Sequence, residues 1–491
     1  MSNFLKNQYL WLIIIVLLGF LVRLYKIDNP IADWHSWRQA DTAAVARNFF
    51  KEGYNPFFPK YDDMSGVADD PLPNPNRYRF VEFPIYNSLV YFAYLANGGV
   101  SEKLARLVSA FISLGSIIFL YFIVAYNWNK KRALMAAFLM AVLPFNVYFS
   151  RVVLPESTLV FFSLGMFYFV NRWIYEDNRR LYFIGLFFAM GAFLTKPSAI
   201  FYLLPLVYSY YQKEGCLWPI PKRYYAFLIP ALAPFLLWRL WILQHPEGIP
   251  ASGWLFNGDG IRYKPAFWKW ILGDRLGREI LSVAGTILLF LGVLFKPLIG
   301  EGKLLHWLAL SAIAYLLVFA TGNVRHDYYQ VLIVPVLIIF VVRGFWLLVG
   351  GVNGLIPRIF TIPLGILLLF LTLYLTFPEV KGLYQINNGV IIEAGMAADK
   401  ILPKNAIVAA PYNGDTAFLY QINRSGWPFI AYPMDDLINF YGVTHYVSVN
   451  YDQQTKDMME RYTVMEANPG FVIIDLAKPN PNWVDKFPKK I

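Results

Sequence analysis

Residues 33–50 of the chain read DWHSWRQADTAAVARNFF, and they follow the first apolar segment. Ser36 and, three residues later, Gln39 have the form of a helix capping box, and Gly53 is a typical helix stop. The sequence therefore predicts a helix over residues 37–52. Because this helix comes soon after a predicted membrane span, we expect it close to the membrane surface on the outer side.

Three charged or titratable side chains lie in the first turns of this helix or directly before it. His35, Arg38 and Asp41 are spaced by three residues, which is about one helical turn, so they can lie near one another. The functional interpretation is that Asp41 faces a site at the membrane surface. The structural alternative is a surface helix in which Arg38 and Asp41 simply form an ion pair.

The composition of the whole chain is that of a membrane protein. Of its 491 residues, 57% are apolar, 18% are aromatic and 15% are charged, whereas soluble domains carry about 25% charged residues. A soluble enzyme is therefore excluded. The single cysteine, Cys216, excludes a disulfide framework and a cysteine zinc site. The five histidines lie far apart in the sequence, which disfavours a dense metal cluster.

The hydrophobic pattern predicts eleven membrane spans. They cover residues 9–25, 104–126, 132–149, 157–174, 181–195, 197–211, 224–243, 279–296, 304–320, 330–348 and 359–377. The first is interpreted as a retained span, because no small-residue cleavage site follows it. Residues 85–96 are also apolar, but they fall well short of the roughly 20 residues needed to cross, so we expect a helix lying at the membrane surface.

Loop charge indicates the orientation of these spans. With the N-terminus in the cytoplasm, almost every short basic junction lies inside, as the positive-inside rule requires. The outer face then receives the long loop 28–103, the turn 150–156, the loop 244–278, the turn 321–329 and everything after residue 378. The weakest step is the pair of spans within residues 181–211, because fusing them would invert all that follows.

The pattern divides the chain into two parts. Residues 1–378 form the membrane module, with the outer loop 28–103, and residues 379–491 form a small α/β domain outside the membrane. In the second part, apolar runs alternate with helical stretches, which predicts a mainly parallel sheet. The runs are residues 406–410, 445–449 and 471–475, and the helices lie around 415–422, 434–441 and 453–462. The Pro- and Asp-rich segment Asn55–Arg79 is interpreted as a mobile loop over the site.

Three further stretches place charged or aromatic side chains at the outer ends of spans. They are Ser150-Arg-Val-Val-Leu-Pro-Glu156, Leu194-Thr-Lys-Pro-Ser198 and Asn323-Val-Arg-His-Asp-Tyr-Tyr329. Each has a structural alternative: an acid is favoured at a helix N-terminus, a lysine can extend to the interface, and tyrosines can belong to an aromatic belt. The functional interpretation is that these groups converge on one outer pocket open to the bilayer, where cations and carboxylates handle a phosphate.

The order of these motifs resembles a known superfamily. The motifs are a first span, a long outer loop with an acidic helix ending in Ala-Arg-Asn-Phe, an Arg-x-x-x-Pro-acid turn, a Leu-Thr-Lys-Pro turn and a late Arg-His-x-Tyr-Tyr. This series is similar to the GT-C glycosyltransferases, and most similar to their protein O-mannosyltransferase and lipid A aminoarabinose transferase branch. The resemblance implies an inverting transferase that moves a sugar from a polyprenyl phosphate to an acceptor hydroxyl on the outer face of the membrane.

The resemblance also implies roles for individual residues. The catalytic acids are Asp41, as general base, and Glu156; the donor phosphate contacts are Lys196, Arg325, His326 and Arg151; the substrate-positioning residues are His35, Arg38, Gln39, Tyr328 and Tyr329. Many relatives carry adjacent acids in the first loop where this chain has Arg38 and Gln39. The assignment of Asp41, and a divalent metal ion as cofactor, therefore stay open.

The expected partners are a polyprenyl-phosphate sugar, an acceptor that is a glycan, a lipid or a protein, and the bilayer; nucleic acid is not among them. The expected location is the inner (plasma) membrane, with the C-terminal domain outside the cytoplasm. The main alternative is a lipid-linked sugar flippase or another polytopic transporter without transferase activity. Such a protein would concentrate polar groups near the membrane midplane, whereas the candidate groups here lie at the outer ends of spans.

Overall fold

A computed structural model describes residues 7–66, 72–296, 301–351 and 356–482. The predicted cytoplasmic N-terminus and the end of the predicted C-terminal domain lie outside these residues. The helices before the C-terminal domain are α1 (Gln8–Arg23), α2 (Ser36–Glu52), α3 (Ile85–Asn97), α4 (Glu102–Asn127), α5 (Lys130–Val142), α6 (Pro144–Phe149), α7 (Glu156–Glu176), α8 (Arg179–Thr195), α9 (Leu203–Glu214), α10 (Lys222–Ile242), α11 (Trp254–Asn257), α12 (Pro265–Trp268), α13 (Ser282–Leu294), α14 (Leu304–Val318), α15 (Ala320–Arg325), α16 (Val334–Gly350) and α17 (Arg358–Leu383). Between them lie 3-10 turns at Pro197–Tyr202, Pro246–Gly248, Ile261–Tyr263 and Asp327–Ile333, and a π-helix at Lys269–Ile280.

Within the described ranges, four helices are long and apolar enough to cross a membrane by themselves. They are α4, α10, α16 together with the 3-10 turn before it, and α17. The segment Pro265–Ile280 with α13 adds a fifth if the two are counted as one span, although the chain bends by 115° between them. Each of the eleven predicted spans coincides with helical structure, but several are short or broken, so the count of eleven stays a prediction.

The third predicted span is broken where α6 begins at Pro144. Proline has no N–H, so the carbonyl of Met140 loses its helical donor. The guanidinium of Arg23, which is fully buried, donates to the carbonyls of Met140 at 3.4 Å and Ala141 at 3.0 Å, and to the Ser150 hydroxyl at 2.8 Å. An arginine inside a span is thus satisfied mainly by backbone oxygens near the proline break.

The segments that loop charge predicts on the outer side meet in one region of the structure. Arg151 donates to Asp33 at 3.1 Å, and His35 is hydrogen-bonded to Asp327 at 2.6 Å, so the first loop contacts two other predicted outer turns. Helix α3, which corresponds to the predicted surface helix, has 13 residues and lies among these segments. The motifs that carry candidate site residues are therefore brought to one region.

Helix α2 has nearly the predicted bounds, but the predicted capping box is wrong. His35 is the N-cap, with a left-handed backbone (φ 55°, ψ 38°) and no side-chain cap. The Gln39 side chain donates instead to Asp33 at 2.7 Å and to the carbonyl of Trp34 at 2.9 Å. Gln39 is drawn into the interior because the acceptors there are buried and need donors.

The C-terminal domain contains α18 (Val390–Ile401), β1 (Ile407–Ala409), α19 (Ala417–Ile422), β2 (Ser425–Trp427), α20 (Met434–Tyr441), β3 (His445–Ser448), α21 (Gln453–Arg461), β4 (Tyr462–Ala467) and β5 (Val472–Pro479). The strand order is β2-β1-β3-β5-β4. The prediction of a mainly parallel sheet is wrong, because β1 pairs parallel with β2 and β3, whereas β5 pairs antiparallel with β3 and β4. The boundary predicted after residue 378 falls inside α17.

The Pro- and Asp-rich loop is held against the C-terminal domain. Backbone pairing joins Lys60 to Tyr78 within the loop and Asp63 to Gly426 beside β2. Its residues 67–71 lie outside the described ranges. The described parts of the loop therefore form a fixed wall beside the site, which differs from the mobile cover expected from composition.

Candidate active site

Asp41 lies on α2 with its side chain almost completely buried. Its Oδ2 accepts a hydrogen bond from Arg79 at 2.6 Å, and its Oδ1 accepts one from the Thr416 hydroxyl at 2.6 Å. Arg79 ends the Pro- and Asp-rich loop, and Thr416 immediately precedes α19. Three segments distant in sequence thus meet at this acid, and both contacts stabilise a negatively charged carboxylate.

Arg38 does not pair with Asp41, so the simple surface pair is wrong. Its Nη2 donates to both carboxylate oxygens of Glu82, at 2.8 and 3.0 Å. Burial opposes the charge of Arg38, but Glu82, Tyr328, Glu156 and Asp41 outweigh it and raise the pKa of Arg38 above its ordinary value. Arg38 is therefore a permanent cation among the acids of the site.

Glu156 and Lys196, predicted from two separate motifs, form a buried ion pair. The Lys196 ammonium lies 5.8 Å from the ring centre of Tyr328 and 5.5 Å from that of Tyr329. The second carboxylate oxygen of Glu156, Oε2, is buried and has no hydrogen-bond partner among the described residues. A buried acceptor without a donor is costly, so this oxygen is suited to receive a hydroxyl from a bound molecule.

A second group of side chains adjoins this ion pair. Asp327 is hydrogen-bonded through Oδ1 to His35 Nε2 at 2.6 Å, and its Oδ2 accepts from Trp34 Nε1 at 2.7 Å. The His35 ring lies 5.0 Å from that of Tyr328, which connects the two groups. The left-handed backbone of His35 is of the kind that is found at functional sites when the surroundings enforce it.

His326 and Arg325 lie at the edge of the site. The His326 ring stacks on Tyr328 with centres 5.4 Å apart. Burial and the neighbouring His35 lower the pKa of His326 to about 4, so the ring is neutral at neutral pH and can meet a phosphate only as a hydrogen-bond donor. The Arg325 side chain is 55% exposed and contacts Asp259 at 3.5 Å.

Gln39 and Arg151 belong to a separate buried network centred on Asp33. Arg106 donates to Asp33 and to the Gln39 side-chain oxygen, both at 3.2 Å. Arg151 donates to Asp33 at 3.1 Å and to two backbone carbonyls just after α1. All four side chains are fully buried. Gln39 and Arg151, two of the predicted site residues, therefore belong to a buried network that supports the first loop.

A small cleft of about 10 Å³, which we name the acid cavity, opens beside Asp41. Its wall includes Arg38, Asp41, Arg79, Glu82 and Asn87. An apolar groove of about 620 Å³ lies nearby, and its wall includes Phe57, Phe83, Leu194, Leu237 and Trp241. The two adjoin at one short segment, since Phe83 lines the groove and its neighbours Glu82 and Pro84 line the acid cavity. The Phe83 N–H donates to the Leu194 carbonyl at 3.1 Å. Glu82 precedes Phe83 directly, and Lys196 lies two residues after Leu194.

Among the described residues, no three His, Cys, Asp or Glu side chains are grouped so that they could hold a metal ion. Three acids of the site each pair with a cation: Asp41 with Arg79, Glu82 with Arg38 and Glu156 with Lys196. Carboxylates that are already paired in this way do not fit a divalent cation.

Arg79, Glu82 and Thr416 are absent from the sequence prediction. Two opposite charges directly before the apolar helix α3 were the available signal for Arg79 and Glu82. The sequence around Thr416 contains no comparable signal, because the contact of Thr416 with Asp41 spans 375 positions.

The chain is similar to one described family. The sequence profile of the dolichyl-phosphate-mannose-protein mannosyltransferases matches residues 88–241. An uncharacterised protein of Aquifex aeolicus (strain VF5) is 36% identical over 93 residues, which span 19% of this chain and 22% of that protein.

The fold is shared with solved structures. ArnT from Cupriavidus metallidurans matches with a TM-score of 0.65 in the apo state and 0.62 bound to undecaprenyl phosphate, at 14% identity over 94% of this chain and 97% of that one. The archaeal oligosaccharyltransferase AglB from Archaeoglobus fulgidus, in complex with an inhibitory peptide and a dolichol-phosphate, matches with a TM-score of 0.56 at 11% identity over 98% and 75%. The predicted resemblance to the mannosyltransferase branch and the predicted fold class are confirmed.

Proposed function

We propose that this chain is an inverting glycosyltransferase that moves a sugar from a polyprenyl phosphate to an acceptor hydroxyl on the outer face of the plasma membrane. The observation that carries the proposal is that the apolar groove and the acid cavity adjoin: Phe83 lines the groove, and its neighbours Glu82 and Pro84 line the acid cavity. A phosphate on a long hydrocarbon chain needs an apolar surface and a cation side by side. ArnT with undecaprenyl phosphate and AglB with a dolichol-phosphate support this choice of donor.

In this proposal the lipid tail lies in the apolar groove and the phosphate lies at Lys196. Lys196 lies two residues after Leu194 of the groove wall, and Arg38, in the wall of the acid cavity, adds a second positive charge. Arg325 and His326 approach from the edge of the site, Arg325 as a cation and His326 as a neutral donor. Positioned cations of this kind stabilise the negative charge that develops on a departing phosphate.

The reaction is a single displacement at the anomeric carbon. The acceptor oxygen forms a bond to that carbon while its proton passes to the Asp41 carboxylate, which acts as general base. The bond between the anomeric carbon and the phosphate oxygen breaks, and its electron pair leaves with the polyprenyl phosphate. One displacement inverts the anomeric centre. Arg79 and Thr416 hold the Asp41 carboxylate in place for this step.

Glu156 and the aromatic side chains orient the substrates. The unpartnered Oε2 of Glu156 accepts a hydroxyl of one substrate. His35, which is hydrogen-bonded to Asp327, and the stacked rings of Tyr328 and Tyr329 position the substrates beside the Glu156–Lys196 pair.

The test is to incubate the purified protein in liposomes with a panel of labelled polyprenyl-phosphate sugars and a cell-envelope extract. We expect one donor to lose its sugar and the product to carry the opposite anomeric configuration by NMR. Intact donor that crosses the bilayer would instead show a flippase. Retention of the anomeric configuration would contradict the single displacement.

A further inference from the structure

A second cavity lies on the other side of the loop wall, and we name it the outer pocket. It has a volume of about 290 Å³ and is lined by Asn48, Glu52, Gly53, Asn55, Lys60 and Tyr78, among others. Pro59 and Arg79 line the acid cavity, while their neighbours in the wall, Lys60 and Tyr78, line the outer pocket. The two segments of the wall therefore lie between the two cavities.

Two side-chain amides in the outer pocket keep a free hydrogen-bonding atom. The Asn48 Nδ2 donates to the carbonyls of Lys60 at 3.1 Å and Tyr61 at 3.2 Å, and its Oδ1 has no partner among the described residues. The Asn55 Oδ1 accepts from the Phe57 N–H at 3.1 Å, which leaves its Nδ2 free within the same part of the chain. Backbone contacts therefore fix one acceptor and one donor for a ligand.

An aromatic ring and an open stretch of backbone complete the outer pocket. The half-buried ring of Tyr78 lies 5.3 Å from Phe58 and 5.3 Å from His245, centre to centre, so its position is fixed. Gly53 has a left-handed backbone (φ 104°), and no atom lies within 4 Å of the place where a Cβ would be. A ligand can thus approach the backbone closely at Gly53.

Two cations flank one carboxylate at the outer pocket. The Glu52 carboxylate accepts from Arg77 Nη2 at 2.8 and 2.7 Å, and the Lys60 ammonium lies 3.6 Å from it. The outer pocket therefore offers no surplus anion for an amine. Its amides and its ring suit a ligand with many hydroxyls.

We propose that the outer pocket binds a saccharide portion of the acceptor, so that the acceptor is a glycan. This inference rests on the proposed transferase function, and it adds the class of acceptor. A glycan held by Asn48, Asn55 and Tyr78 extends past the wall of Lys60 and Tyr78 toward Asp41. The free groups are side-chain amides and a ring, which favours a glycan over a peptide.

The test measures binding to the full-length protein without any donor. Saturation-transfer NMR would be recorded with three soluble probes: chitotriose, maltotriose and mannotriose. We expect at least one probe to bind the wild type. Asn55→Asp keeps the turn acceptor but removes the donor, and it should weaken binding about fivefold, as expected for the loss of one hydrogen bond. Tyr78→Ala should weaken binding at least as much, and Asn97→Ala at the exposed end of α3 should leave it unchanged.

The inference is overturned if none of the three probes binds the wild type, or if both variants bind as the wild type does. A serine-containing peptide that binds the wild type and is lost in the same variants would also overturn it, in favour of a protein acceptor. Melting curves of the variants establish that they are folded. Because no donor is present, a failure of the transferase assay leaves this result unaffected, and the two proposals fail separately.

Discussion

The Thr416 hydroxyl donates a hydrogen bond of 2.6 Å to the carboxylate of Asp41. Asp41 belongs to the helix that follows the first span, and Thr416 belongs to the C-terminal domain. The proposed general base is therefore completed by a residue outside the membrane module.

Thr416→Val should lower kcat about tenfold to a hundredfold, because a hydrogen bond to a charged group contributes about 1.5–3 kcal/mol. Thr416→Ser keeps the hydroxyl and should retain most of the activity. Donor binding, measured in parallel, should change little in either variant. Equal loss in the Ser and Val variants would contradict a role for the hydroxyl.

Asp41→Asn should abolish transfer while donor binding stays nearly intact. The amide keeps the shape of the side chain and can still contact Thr416, but it cannot take the proton of the acceptor. The measurement is single-turnover transfer together with binding of labelled donor. Near-normal turnover would remove Asp41 from the role of base.

Lys196→Met should weaken donor binding about tenfold or more, since a cation contact to phosphate is lost. It also leaves Glu156 as an unpaired buried acid, which destabilises the fold. The double variant Lys196→Met with Glu156→Gln removes both charges and should melt at a higher temperature than the single variant. If donor binding is normal in both, Lys196 does not bind the phosphate.

Arg23→Met should lower the melting temperature without changing the chemistry of the site. The Ala141 carbonyl would lose the 3.0 Å hydrogen bond from Arg23, whereas the Met140 carbonyl keeps its 2.6 Å hydrogen bond from Asn146. A buried carbonyl left without a donor costs about 1–3 kcal/mol. Arg23→Lys, which keeps one cationic donor, should be intermediate. A melting temperature equal to that of the wild type would show that Arg23 does not support the break at Pro144.

The stability of the protein should fall as the pH is lowered from about 6.5 toward 4. Over this range the unfolded chain takes up a proton on His326, whereas the buried ring, with a pKa of about 4, does not. The charged and titratable groups that act on this ring are His35, Asp327, Arg275 and Arg325. His326→Phe keeps a stacked ring that does not titrate and should reduce the loss. Melting curves measured against pH check this, and parallel curves for the two proteins would contradict it.

Local patterns were enough to bring Asp41, Glu156 and Lys196 to one region. The predicted order and orientation of the spans indicate on which side of the membrane each motif lies. This prediction does not depend on how the helices pack. The ion-pair and hydrogen-bond partners of these residues depend on the path of the loops, which the order of the spans does not describe. Arg38 therefore pairs with Glu82 and not with Asp41, and Arg151 pairs with Asp33.

The sheet, too, could be predicted only in part. The runs that become β1, β3 and β5 are buried and apolar, and all three were predicted from the sequence. Strand β4 is a half-exposed edge strand, and β2 is only Ser425–Trp427, so neither has an apolar run to mark it. The short connection between β4 and β5 makes that pair antiparallel, which an alternation of strands and helices cannot reveal.

The hydrogen bond from Thr416 also has a consequence for biosynthesis. The ribosome adds Thr416 375 residues after Asp41, so the contact between these two side chains cannot form until the C-terminal domain has been made and has folded. In the proposed mechanism, a nascent chain therefore lacks the complete base, and a product of premature termination before residue 416 is inactive.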